Sequence, residues 1–162
     1  ETEELKRLLN EAMDAGACGW SSQTLGVSGD PKAPTAGGAA QSDFDGTPMP
    51  SDVMWPETQI ALAEVLGERG EGFIELSGAT MPREHWEQLA EVSGAPIIYQ
   101  ALPASNMMID MHKNLFEWFD RCREKGLRIY GQGITQNPPL LFTFDYWDLW
   151  GPVWEEYAGP IR

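Results

Sequence analysis

Ala15-Gly16-Ala17-Cys18-Gly19-Trp20-Ser21-Ser22 leaves a helical pattern, turns at glycine and ends in two hydroxyls. It reads as a strand whose last residues open onto a site. Three later stretches share its grammar: residues 72–77 (GFIELS), 96–102 (PIIYQAL) and 127–132 (LRIYGQ), each preceded by a helical pattern that stops at glycine. Such alternation predicts an α/β fold of repeated βα units. Right-handed crossovers between parallel strands, with both sheet faces buried, make four such units half of a TIM-like (β/α)8 barrel. A small open parallel sheet is the other arrangement the pattern allows.

Working outward, Thr2 is placed to cap a helix with Leu5, Leu8, Leu9 and Met13 on one stripe and Gly16 as its stop. Residues 23–55 then lose all periodicity to Gly, Pro, Ser and Asp, and a loop of that length is either a functional lid or disordered. Pro56 suits a first helical position, followed by Ile60, Leu62, Ala63, Val65 and Leu66, with the helix ending at Gly67 or Gly70. Pro82 opens a short helix with Trp86, Leu89 and Ala90 turned inward. Ser105 or Asn106 caps the longest one, whose Met108, Met111, Leu115, Trp118, Phe119 and Cys122 recur at three and four before Gly126. In residues 133–151 a further loop gathers Phe142, Phe144, Tyr146, Trp147 and Trp150, which either wall an apolar pocket or fill a core. Leu140 to Phe144 suits a short strand, and Pro152 a last helix.

The 162 residues fit a single domain that buries roughly two thirds of its unfolded surface. A formal charge of −14, from eleven Lys and Arg against twenty-five Asp and Glu, repels phosphate backbones and anionic lipid, so nucleic acid and membrane surfaces are not expected partners. The acidic residues are spread along helices as solvated faces. Cys18 and Cys122 are too few for a zinc knuckle or a disulfide framework, and both read as core thiols of a reducing compartment. No apolar run of bilayer length and no signal-peptide pattern occurs, so the expected location is cytoplasmic. The opening Glu-Thr-Glu-Glu-Leu has no initiator Met, which fits a segment of something longer.

In a barrel or an open parallel sheet, ligands bind at the carboxyl ends of the strands. That rule nominates Ser21, Ser22, Glu75, Tyr99, Gln100 and Gln132 as substrate-binding residues, with Ser77 beside them. Glu75 leads, because a carboxylate between Ile74 and Leu76 is costly in a buried strand unless it is paired, protonated or bound to a cation. A structural ion pair explains it equally well. His85 and His112 fall in helices, away from any strand end, and the chain has no His-x-His, His-Glu-x-x-His, Cys-x-x-Cys or Gly-x-Ser-x-Gly. No catalytic residue and no metal ligand is assigned on these grounds.

LLNEAMDAGACGWSS (8–22), DGTPMPS (45–51), ALAEVLGERGEGFIELS (61–77) and GLRIYGQGITQNPP (126–139) follow one another in an order that resembles the middle of the metal-dependent amidohydrolases related to N-acyl-D-amino-acid deacylases. The resemblance implies a (β/α)8 barrel that hydrolyses an amide, or a related C–N or C–O bond, with water activated by a bound divalent metal such as zinc. It also implies paired histidines on the first barrel strand and a catalytic aspartate near the last, regions to which this sequence has no counterpart. Where many members carry metal-binding histidines at two successive strand ends, this sequence has Glu75 and Ser77, then Tyr99 and Gln100. The resulting expectation is a pocket wall and lid for a small-molecule amide, completed by the rest of the barrel or another subunit and inactive in isolation. The alternatives are a non-catalytic half-barrel that pairs with another subunit, and an α/β ligand-binding domain without chemistry.

Overall fold

Each of the four glycine-stopped helical patterns forms a helix, and each is followed by a strand, in the computed structural model. It describes residues 1–23, 50–51, 54–77, 81–102 and 109–133. The order is α1 (Thr2–Asp14), β1 (Gly19–Gln23), α2 (Pro56–Arg69), β2 (Phe73–Ser77), α3 (Arg83–Ser93), β3 (Ile97–Leu102), α4 (Ile109–Glu124) and β4 (Ile129–Gly133). The expected cap of the last helix, the aromatic loop, the strand after Leu140 and the helix after Pro152 fall outside the described residues, as does most of the 23–55 loop.

Local chemistry accounts for the ends. Pro56 stands in the first turn of α2, and Gly70 and Gly94 close α2 and α3 in the left-handed conformation. At α1 the cap is Glu1, with Thr2 already inside the helix, and its acidic first turn (Glu3, Glu4) complements the positive end of the helix dipole. Arg7 reaches Glu4 and Glu11 along the exposed side of α1.

The four strands are parallel and lie in the order β1-β2-β3-β4, the order of the chain. Every crossover therefore steps the same way, and right-handed connections put every crossover helix on one face. The core lies on that face. Ile74, Leu76 and Ile97, all fully buried, meet Leu66, Leu89 and Cys122 from the helices. Tyr99 of β3 stands among Trp86 (ring centroids 4.8 Å apart), Trp118 (6.1 Å) and Phe119 (6.0 Å). After Gln100 the register with β4 shifts by one residue. Leu102 thereby returns to the helix side and fills the space over Gly131 that a side chain there would need. Helices α2 and α3 approach closely because Gly67 has no Cβ, which would stand 2.5 Å from the Val92 carbonyl oxygen.

Among the described residues the other face is not covered, so the expectation of a sheet buried on both sides is met on one side only. Three apolar side chains also depart from expectation. Leu8 and Met111 are exposed, and Cys18 lies exposed just before β1 instead of in the core. Leu8 belongs to α1, which among the described residues packs against α2 and β1 only on its inner side.

Candidate functional site

Successive residues of a strand point to opposite faces, so the strand register sorts the nominated residues without further assumption. Ser21, Glu75, Ile98 and Tyr130 lie side by side across the four strands on the face away from the helices. One step further along, at the carboxyl ends, Gln23, Ser77, Gln100 and Gln132 form a second row on the same face, about 6.6 Å beyond the first. Four nominated residues (Ser21, Glu75, Gln100 and Gln132) thus share one surface.

Ser22 and Tyr99 do not. Both are on the helix side, where Ser22 is buried with its hydroxyl 3.3 Å from the Ser51 carbonyl oxygen and 3.2 Å from that of Gln23. Tyr99 belongs to the aromatic core, and burial pushes its phenol above the ordinary tyrosine range. Ser21 and Ser22 are neighbours in one strand and cannot both face a ligand. Gln23 lies one residue past the strand end that the sequence predicts at Ser22. A period of two carried forward from Ser21 finds it.

Glu75 is half-buried and forms no ion pair among the described residues. Its alternation with Ile74 and Leu76 puts it on the uncovered face while they enter the core. Every lysine and arginine among the described residues lies on a helix or in the segment that joins α4 to β4, where Arg128 donates to the Gly94 carbonyl oxygen, and none within a strand. Arg83, for example, sits over the Trp118 ring at 5.6 Å, on the helix side. Among the described strand residues the uncovered face thus offers amides, hydroxyls, one carboxylate, the aliphatic Ile98 and the aromatic Phe73 and Tyr130, with no cation.

The two histidines are on helices. His85 of α3 bonds through Nε2 to the buried Gln59 of α2 (2.9 Å), while Gln59 Nε2 is left without a partner among the described residues. His112 of α4 rests edge-on against Phe116, its Nδ1 buried and without a hydrogen-bond partner among the described residues. Among the described residues no three His, Cys, Asp or Glu come close enough to share a metal ion. Amide and hydroxyl oxygens with a single carboxylate are also a poor donor set for zinc. These strand ends, taken alone, do not fit the metal that the resemblance implies.

Burial lowers the pKa of His85 below its ordinary value, the Glu57 carboxylate opposing the shift. The unfolded chain therefore binds this proton more tightly than the folded one. His85 contributes stability that is complete above about pH 6.5 and is lost as the pH falls below that value toward the folded pKa. Urea midpoints from pH 7.5 to 5 are expected to fall more steeply for the native chain than for His85→Gln. Parallel curves would remove His85 as the titrating group.

Comparison with protein-family models, with curated proteins and with solved structures finds no match. No helix of the described residues is long and apolar enough to cross a membrane.

Proposed function

We propose that this chain is a segment of an amidohydrolase-like (β/α)8 barrel acting on N-acyl amino acids or related amides, and that it supplies one wall of the substrate pocket. The observation that carries the reading is the same-face clustering of Ser21, Glu75, Gln100 and Gln132 on a sheet whose described helices lie on the other side. In a closed barrel that uncovered face is the lumen, and its carboxyl-end row is the mouth. Amide side chains at the mouth both donate to and accept from an amide substrate. They bind and orient it. In this reading the group that activates water is held by residues beyond these four strands.

The test is an assay of the purified chain with added zinc against a panel of N-acyl amino acids. No turnover is expected. Chelator-sensitive hydrolysis by this chain alone would overturn the assignment of a wall role, and a longer form of the protein lacking any such hydrolysis would overturn the amidohydrolase reading itself.

A second reading, a half-barrel assembly module, is favoured by a separate observation. Leu8, Met111, Phe116 and Tyr130, which are large and exposed, belong to α1, α4 and β4, the elements at the two open ends of the row. Parallel edges that are unpaired among the described residues and flanked by exposed apolar side chains invite a partner. A monomeric mass by light scattering at high concentration counts against it.

A further inference from the structure

We propose that the uncovered face of the sheet is a binding site for a small organic cation, an ammonium group carried on a polar molecule, with Glu75 as its counter-charge and Tyr130 as its aromatic wall. The inference rests on the pocket-wall reading for the place of the site and narrows it: amides that carry a free ammonium group are favoured over simple N-acyl amino acids, whose only charge is a carboxylate, and binding does not depend on hydrolysis taking place. Glu75, Ile98 and Tyr130 are consecutive in one row across β2, β3 and β4. Adjacent strands are about 4.8 Å apart, so the Glu75 and Tyr130 backbones stand about 10 Å from each other with Ile98 as the floor between them. That gap suits an alkylammonium head, which a carboxylate attracts from one side and an aromatic ring from the other.

Charge complementarity selects this occupant. Glu75 is half-buried with no ion-pair partner among the described residues, and no described lysine or arginine lies within a strand; the nearest in phase with Tyr130, Arg128 just before β4, donates to the Gly94 carbonyl oxygen at the other end of the sheet. A carboxylate or phosphate ligand would find nothing of opposite sign among the described strand residues. Tyr130 is 56% exposed, with its ring available to a ligand. The second row places Gln100 and Gln132 about 6.6 Å further on, where amides serve the hydroxyl or amide part of the same molecule. A formal charge of −14 raises the local concentration of cations around the whole chain.

The same charge makes diffuse cation binding the rival explanation, and the experiment separates the two. Tetramethylammonium chloride is titrated into the full 162-residue chain at fixed ionic strength while backbone amide resonances are followed, with sodium acetate as the anionic control. Saturable shifts concentrated at Glu75, Ile98 and Tyr130 are expected. Glu75→Gln is expected to weaken binding roughly tenfold, Tyr130→Leu about fivefold, and Glu68→Gln on exposed α2 not at all. Glu75→Gln keeps the side-chain shape, and its unperturbed spectrum elsewhere shows that the fold is intact. Shifts spread over the acidic helices, an equal response in Glu75→Gln, or the same response to acetate would each overturn the proposal. So would a doubled mass with this face protected, since a second copy would then occupy it. A negative result here leaves the hydrolysis assay free to succeed, and an absence of hydrolysis leaves this binding free to be observed.

Discussion

Trp118→Ala is expected to destabilise the chain by about 3–5 kcal/mol, read as a lower urea midpoint at unchanged slope. The indole is 1% exposed and packs at 5.2 Å from the Phe119 ring and 6.1 Å from Tyr99. Its removal leaves a cavity between α4 and β3 that neighbouring rings, held by the backbones of two elements, refill only in part. The indole nitrogen also donates to Glu87 Oε1 at 2.9 Å. Glu87 bonds Lys125 as well, and that ammonium, first, holds its carboxyl below the usual range, with Trp118 adding to the effect. The side chain therefore ties α3 to the end of α4. Trp118→Phe keeps most of the packing and loses the hydrogen bond, so its cost is expected near 1 kcal/mol. Because whole domains are stable by only about 5–15 kcal/mol, the alanine substitution removes a large share of what holds the chain folded. A loss below about 1.5 kcal/mol would show that the aromatic group around Tyr99 is not where this fold is held together.

The parts of the fold that were legible in the sequence depend on local rules. Helix stops at Gly16, Gly70, Gly94 and Gly126 follow from residues that adopt positive φ without strain, and each stop leads directly to a strand. Strand identity was equally plain, since Phe73 to Ser77 and Ile97 to Leu102 are short, β-branched or aromatic, and bounded by glycine, serine or proline. What required coordinates was the pairing. Period-two alternation says that Ser21 and Ser22 part company, but only the register shows that Ser21 stands beside Glu75, and Ser22 beside Leu76 in the core. Tyr99 misled for the same reason: a phenol near a strand end suits a pocket, and nothing local reveals the two tryptophans that enclose it. Leu8 and Met111 kept helical spacing yet came out exposed, because a stripe wider than the available neighbour leaves its margin in solvent. Gln59 carried no sequence signal at all. Its burial beside His85 depends on how α2 and α3 lie together.

Gly19→Ala is expected to cost about as much as the loss of the indole, for an unrelated reason, and the comparison with Gly70→Ala isolates that reason. Gly19 has φ +140, and a Cβ there would run into the Phe73 carbonyl oxygen, with the Phe73 nitrogen at 2.8 Å and its carbonyl carbon at 2.9 Å. These are backbone atoms of the neighbouring strand, where Gly19 and Phe73 are register partners and Phe73 N–H donates to the Cys18 carbonyl at 3.0 Å. No rotamer change relieves such a clash. Either β1 moves away from β2 and the pairing that begins there is lost, or the backbone at residue 19 leaves its conformation and the turn from α1 opens. Overpacking costs about 1–3 kcal/mol, and a strained backbone conformation adds about 1–3 kcal/mol. At Gly70 the φ of +67 is also unfavourable for alanine, but nothing stands within 4 Å of the added carbon, so about 1 kcal/mol of conformational cost is all that is expected. Urea denaturation of both variants gives the two totals, and amide exchange at Phe73 reports whether the β1–β2 pairing opens. Because β1 carries Ser21 and Gln23, an opened pairing also removes one end of both polar rows. Equal losses at Gly19 and Gly70, with Phe73 still protected, would mean that the close approach of the two strands is not what makes glycine necessary at residue 19.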